Sequence, residues 1–460
     1  MFIQQIFTTC LSQSSYYIES NGEAAIIDPL RDVEQYVNLA KERDTVIKFV
    51  FETHFHTDFV SGHIDLMRRT NCVIVFGPEA KPHYHAFIAN HKELFKLGAC
   101  VFKVIHTPGH TIESCCFLLM SEEGIPTHVF TGDTLFVGDV GRPDLLSGNL
   151  SKEVLAEKLY HSIQEELLCL PDDVVVYPGH GAGSACGKIT STENVSTIGE
   201  EKKSNLALQE PTKEAFIKYA TTDQPFSPPY FFNVAKINMR GYDDLDDLLK
   251  RSLNPLDSSL FIEMMNSGAI ILDCRNTDEF GDQHILGSIN IGLDVEFDFW
   301  AGSLIPLNSK LLLVCPEGNE TEVITRLARV GYENVLGFLT GSFKEWNFSK
   351  HKLSSIKTTS ISEARRIYYP DNYVLIDVRN YLEVKKEKIF ESINIPLYQI
   401  LDLAEHFDKK SNYMVYCQGG YRSMIACSIL QSMGFRNVIN ILGGIKLIKE
   451  TNPELLEINN

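Results

Sequence analysis

Nowhere does this chain run to the roughly 18 consecutive apolar residues that a membrane-spanning helix needs. Basic residues are also scarce: Lys plus Arg number 42 against 60 Asp plus Glu, a net charge of −18. That deficit argues against nucleic-acid partners, whose phosphates are bound mainly through Lys and Arg. The opening stretch Met1–Ser20 has no basic start, and Gln, Thr and Ser interrupt its apolar residues, so it does not read as a secretory signal. The 11 cysteines are an odd number at irregular spacing, which is not a disulfide framework. A reduced, cytoplasmic protein with thiols free for chemistry is expected. The remainder is ordinary for a globular protein, 44% hydrophobic and 22% charged. Its 460 residues fit about three domains.

The first segment alternates short strands with helical stretches. Ser15–Glu19 and Ala24–Asp28 read as strands around an Asn21-Gly22 turn, Val33–Arg43 as a helix, and Val46–Thr53 as a buried strand. The rhythm continues to about Gly183, after which Asn194–Ala220 reads as helical. Gln224–Tyr230 is Pro-rich and reads as a linker or surface strap. Beyond Leu256 the chain repeats itself. Ile271–Asn276 matches Leu375–Asn380, Ser288–Ile291 matches Ser392–Ile395, Cys315 matches Cys417, and Gly331–Val335 matches Gly434–Val438. An offset of roughly 100 residues is far longer than a solenoid repeat, so each copy should be a whole α/β domain.

Polar residues that can bind metal gather at strand ends in the first segment. His54, His56 and Asp58 alternate in the loop after a buried strand and can converge on one point. His110 in HTPGHT, Asp133 in FTGDT and His180 in YPGHG each follow another strand. A single histidine at a strand end, such as His106 or His161, reads as a hydrogen-bonded core residue, but the full set does not. This order resembles the metallo-β-lactamase fold over about residues 1–190. The resemblance implies an αββα sandwich. Dinuclear zinc hydrolases of that fold carry HxHxDH; here the last position is Phe59, which cannot ligate a second metal.

Two histidines and one carboxylate with open positions suit a non-haem Fe(II) centre, and the persulfide dioxygenases of this fold are similar. That resemblance implies one Fe(II) per chain, held by His54, His110 and Asp133. His56, Asp58 and His180 then orient the ligands and hydrogen-bond water or substrate, although spacing alone equally allows His56 as a ligand. Arg142 is open to pairing with a carboxylate or phosphate on a thiol carrier, or to an internal salt bridge. Cys186 is open to relaying sulfur or simply to packing.

Cys417-Gln418-Gly419-Gly420-Tyr421-Arg422-Ser423 links an apolar strand, Tyr413–Tyr416, to a helix expected over Met424–Met433. Consecutive backbone N–H groups at a helix start cradle an anion. With Arg422 beside it, Cys417 is favoured as a nucleophilic thiolate. The loop resembles that of the rhodaneses, which carry a persulfide on this cysteine. In the first copy Glu317 and Glu320 stand where Gly419 and Arg422 stand, so that copy reads as an inactive structural one.

The whole order resembles bacterial persulfide dioxygenase–rhodanese fusions. Expected domains are 1–245 with a helical extension and linker, 257–352 (degenerate) and 357–455 (active). The resemblance implies oxidation of a low-molecular-weight thiol persulfide by O2 to sulfite. Cys417 then exchanges sulfur between persulfide and sulfite, making or consuming thiosulfate; a homo-oligomer is also implied. The alternative is a dinuclear zinc thioester hydrolase of the glyoxalase II type fused to a sulfurtransferase.

Overall fold

Apolar runs that end in polar loops become strands, and the stretches between them become helices. The computed structural model describes residues 1–146, 150–188, 191–341, 346, 352–367 and 373–458. The chain divides into two units, Met1–Leu248 with Leu327–Gly331, and Leu249–Arg326 with Tyr332–Asn460.

The first unit holds two six-stranded sheets. One runs in chain order through Phe2–Thr8, Gln13–Ser20, Glu23–Ile27, Val46–Glu52, Val73–Phe76 and Phe87–Ile88. The other runs Ser196–Thr197, Val175–Pro178, Pro126–Gly132, Cys115–Ser121, Cys100–His106 and Leu94–Leu97. The expected hairpin is present: Asn21 and Gly22 both take positive φ, 49° and 77°, as a two-residue turn between antiparallel strands requires. Between the sheets Phe51 packs its ring 4.9 Å from Phe102 and 4.7 Å from Phe117, among Ile18, Ile27, Val104 and Phe130. A second core lies under the helix Lys152–Ser162 and the helix Lys213–Thr221, where Leu159 and Phe216 meet Leu118, Val129 and Val176. Helices Glu34–Glu42 and His63–Thr70 accompany the first sheet.

The expected long helix over Asn194–Ala220 is broken. It contains a short strand, a helix Ile198–Ser204 and the helix Lys213–Thr221. Asn205 ends the first of these because its amide side chain donates to the Asp139 carbonyl and to Glu201. Pro211 precedes the restart, where the Thr212 hydroxyl caps the Ala215 N–H. After the Pro-rich stretch the chain forms a further helix, Tyr230–Arg240.

The second unit contains the repeat as two five-stranded parallel sheets. Their orders are Pro255–Leu256, Val335–Leu339, Leu311–Val314, Ile270–Asp273, Ile289–Asn290 and Lys357–Thr359, Asn437–Ile441, Asn412–Tyr416, Tyr373–Asp377, Ile393–Asn394. The duplication extends to single bonds. Asn290 bridges the Asp273 and Arg275 carbonyls, and Asn394 bridges those of Asp377 and Arg379. The helix after the Cys417 loop starts earlier than expected, at Tyr421, and runs to Ser432. Among the described residues no helix is long and apolar enough to cross a membrane.

Replacing Phe51 by Ala is expected to destabilise the first unit by about 3–5 kcal/mol. Both tryptophans, Trp300 and Trp346, lie in the second unit. Denaturant unfolding followed by far-UV circular dichroism should therefore shift, while the tryptophan fluorescence transition should not.

Candidate metal centre and thiol loop

The carboxyl ends of several strands deliver side chains to one edge of the first unit. Thr53, following Val46–Glu52, donates its hydroxyl to Asp28 Oδ2 at 2.8 Å and its amide to Asp28 Oδ1 at 2.7 Å. With that hydroxyl proton engaged, His54 Nδ1, 3.0 Å away, is the donor to Thr53 Oγ1, which leaves a lone pair on Nε2. His110 Nδ1 donates to the Arg142 carbonyl at 2.8 Å, with the same result. Burial keeps both imidazoles neutral, lowering their pKa from the usual histidine value.

These two Nε2 atoms lie 3.9 and 3.5 Å from Asp133 Oδ2. All three atoms are buried and without a hydrogen-bond partner among the described residues. Three acceptors facing one another with no donor among them call for a cation, and the two-histidine, one-carboxylate set fits a divalent metal.

His180 braces this centre. Its Nδ1 donates to Asp133 Oδ1 at 2.8 Å and its Nε2 to Asp58 Oδ2 at 2.9 Å. Burial opposes its charge, but the two carboxylates prevail and raise its pKa well above the usual value. Burial likewise opposes ionisation of Asp133, yet His180 and the other imidazoles hold its carboxyl well below the usual range. His56 stands apart from the three-atom cluster, with Nε2 3.2 Å from Asp28 Oδ1 and 3.7 Å from Glu52 Oε2. Phe59 is fully buried and lies over the His56 ring at 4.3 Å.

Arg142 does not offer a free guanidinium to a carrier. Its Nε and Nη2 clasp Asp144 at 2.7 and 2.8 Å, and its Nη1 donates to the Ala185 and Pro225 carbonyls. Its contribution is the carbonyl that orients His110. Cys186 is buried beside Asp58 and His180, and burial, followed by the nearby carboxylates, pushes its thiol well up. His106 Nε2 donates to the Ile112 carbonyl of its own loop at 3.0 Å, whereas His161 is exposed and pairs with Glu165. The expectation of a core histidine therefore fails at position 161.

Sequence reasoning missed Asn238. From the helix Tyr230–Arg240 its amide donates to the His56 and Phe59 carbonyls, both at 2.9 Å, and accepts from the Ser61 N–H at 3.0 Å. The available signal was a buried polar residue on a helix face otherwise made of Val234, Ala235 and Ile237.

In the second unit Cys417 ends the strand Asn412–Tyr416. Its sulfur accepts the Gly420 N–H at 3.1 Å and lies 3.5 Å from the Ser423 hydroxyl, which donates to Asn440 at 2.6 Å. Gly420 caps the helix at φ 110°, which turns the loop back over the sulfur. A Cβ on Gly444 would stand 2.3 Å from the Cys417 carbonyl, so only glycine lets the last helix abut the loop. Gln418 accepts the Lys446 N–H, Gly419 opens on a cavity, and Tyr421 donates to the Gly292 carbonyl at 2.9 Å. Arg422 is held by Glu383 in a bidentate pair at 2.7 and 2.8 Å, a partner the sequence reading did not name. Glu383 itself completes a capping box with Asn380.

Comparison with known proteins adds two family matches. The metallo-beta-lactamase superfamily model matches residues 8–180, and the rhodanese-like domain model matches 258–349 and 360–451. The hydroxyacylglutathione hydrolase GloC of Haemophilus influenzae is 30% identical over 45% of this chain and 98% of its own. A crystal structure of a metallo-beta-lactamase from Staphylococcus aureus is 33% identical with a TM-score of 0.65, covering 74% of this chain and 98% of that one. The ETHE1 structure from Myxococcus xanthus is 30% identical with a TM-score of 0.45, covering 52% and 98%.

Two outcomes test the site. Asn238→Ala leaves two carbonyls and one N–H without this partner, at about 1–3 kcal/mol per buried group. It should release bound metal to a chelator faster than the parent, with little change in sulfur transfer. Glu383→Gln breaks the bidentate pair and, where the sequence-expected sulfur transfer at Cys417 is assayed, should lower its kcat/KM about tenfold, roughly the worth of one charge-assisted bond. Burial opposes the Glu383 charge, but Arg422 wins and lowers its pKa. The pair's stabilisation is therefore present above the ordinary Glu pKa and is lost only as pH falls through the depressed value. Parent stability should show that acid loss, and Glu383→Gln should lack it.

Proposed function

Because the chain belongs to the metallo-β-lactamase superfamily and carries two rhodanese-like domains behind that part, we propose that it is a non-haem iron persulfide dioxygenase coupled to sulfur transfer through Cys417. The observation that carries this reading is the buried cluster of His54 Nε2, His110 Nε2 and Asp133 Oδ2, whose three facing atoms lack any donor among the described residues, with Phe59 in the sequence position of a further ligand. An Fe(II) ion bound there supplies the electron-transfer chemistry by which O2 oxidises a persulfide's sulfane sulfur to sulfite, leaving the thiol. The protein's own residues do the rest. The Arg142 carbonyl and Thr53 fix the two imidazoles with Nε2 facing inward. His180, protonated between Asp58 and Asp133, holds a proton at Nε2 against Asp58. Phe55 and Phe59 are buried in the loop of residues 54–59, packed on Phe76 and on the His56 ring respectively.

In the second unit Cys417 takes a sulfane sulfur from a low-molecular-weight thiol persulfide and passes it to sulfite, or runs the exchange backwards from thiosulfate. The Gly420 N–H and the start of the helix Tyr421–Ser432 stabilise the anionic sulfur. A reducing compartment, the cytoplasm, suits both steps.

A zinc thioester hydrolase is the second reading. It is favoured by the relatedness to GloC and by the cluster of Asp58, His180 and Cys186. Against it, both His180 nitrogens are already engaged by carboxylates, so a second ion must displace the proton and the bond at one of them.

Metal analysis and an oxygen electrode separate the two. One iron per chain is expected, with persulfide-dependent oxygen uptake that falls at least 100-fold in His110→Ala. Cys417→Ser should keep the uptake and lose thiosulfate exchange. Two zinc ions per chain with hydrolysis of glutathione thioesters would establish the second reading.

A further inference from the structure

The first copy of the repeat carries a second cysteine that the other copy lacks: Cys274 stands between Asp273 and Arg275, where Val378 stands between Asp377 and Arg379. Strands Ile270–Asp273 and Leu311–Val314 are parallel neighbours with Asp273 opposite Val314. The next residues, Cys274 and Cys315, remain side by side, and the Cys274 N–H donates to the Val314 carbonyl at 2.8 Å. Matched positions on adjacent strands project to one face. Neighbouring strands lie about 4.8 Å apart, inside the Cα separation of roughly 4.4–6.8 Å that a disulfide accepts. The Cys274 thiol donates to the Leu272 carbonyl at 3.9 Å, and burial first, then the neighbouring Cys315, pushes its pKa well up. Cys274 is fully buried and Cys315 is half-buried, so one thiol is reachable and the other waits behind it.

Cys274 borders a cavity of about 480 Å³. Cys274 and Pro316 wall it from the first copy, and Gly419, Gly420 and Tyr421 wall it from the loop of Cys417. A small sulfur donor that reaches this loop therefore comes up against Cys274 and against Pro316, the residue next to the half-buried Cys315. The first copy lacks the glycine and arginine of the other loop, with Glu317 and Glu320 in their places, so a sulfur taken up on Cys315 is left open to attack by Cys274.

We propose that Cys274 and Cys315 form a dithiol that reduces sulfane sulfur, taking it from a small persulfide or polysulfide and releasing it as sulfide. Cys315 attacks the outer sulfur of R–S–SH; the new S–S bond forms on Cys315 and R–SH leaves. Cys274 then attacks Cys315 Sγ, a Cys274–Cys315 disulfide forms, and the outer sulfur departs as HS⁻ with the Cys274 proton. Two thiols are oxidised and one sulfane sulfur is reduced to sulfide, so no outside oxidant is needed. Two equivalents of a low-molecular-weight thiol reopen the disulfide by exchange. The chemistry depends on the thiol pair and not on the metal centre.

The test uses the full chain with Cys417→Ser, reduced, freed of excess thiol and treated anaerobically with glutathione persulfide. Peptide mapping without reduction should find a Cys274–Cys315 cross-link, accompanied by sulfide release. Adding Cys274→Ser should trap one extra sulfur on Cys315 and lower sulfide release at least fivefold. Adding Cys315→Ser should give neither the cross-link nor the trapped sulfur. The proposal is overturned if Cys315 stays a free thiol, if its persulfide persists with Cys274 intact, or if all three proteins release sulfide equally. A cross-link formed without sulfide would also overturn it.

Discussion

Three buried acceptors without a proton between them are the constraint around which the first unit is arranged. His54 Nε2, His110 Nε2 and Asp133 Oδ2 face one another, and nothing among the described residues donates to them. Each unsatisfied buried acceptor costs about 1–3 kcal/mol, so the arrangement persists only because the surroundings hold it in place. The Asp28–Thr53–His54 chain fixes one imidazole, the Arg142 carbonyl fixes the second, and His180 fixes the carboxylate. Arg142 in turn is pinned by Asp144 and two carbonyls. A cation repays the whole set at once, so metal affinity and local stability are two sides of one quantity.

Much of this was legible in the sequence. The histidines and aspartates that gather at one sheet edge were visible because each follows an apolar strand, and a strand end has few places to point. Cys417 and its glycines were visible for the same reason. For Arg142 the sequence left a substrate contact and an internal salt bridge both open, and the structure takes the second, with Asp144, two residues on, as the partner. Asn238 was invisible: it acts from a helix about 180 residues away, and no spacing rule connects a helix face to a distant loop. The break at Asn205 was missed because its cause is tertiary, an amide side chain drawn to the Asp139 carbonyl.

The two copies of the second unit share more than a fold. In each, the arginine of the Asp-x-Arg run folds back onto its own aspartate, with closest contacts of 2.6 Å for Arg275 and 2.7 Å for Arg379. In each, an asparagine ties the following strand to that run. The features that fix the backbone have thus been retained, and those that govern reactivity have diverged. Backbone geometry and chemistry are separable here because the clip sits at the end of one strand and the reactive sulfur at the end of its neighbour.

Under the proposed sulfur transfer, Arg422 shows where the anion affinity of the Cys417 loop would reside. A bidentate contact with Glu383 largely cancels its charge at a distance, so the guanidinium cannot act as a free cation. The remaining attraction comes from oriented backbone N–H groups, of which the Gly420 donor already touches the sulfur, and from the start of a 12-residue helix. Backbone donors require a loop that turns tightly, and Gly419 and Gly420 allow it. In the first copy, Glu317 introduces charge within the loop itself, and Glu320 replaces the arginine. Exchanging Glu320 alone for arginine would therefore leave a carboxylate in the path of an incoming anion. The loss of the cradle, more than the loss of one cation, separates the two cysteines.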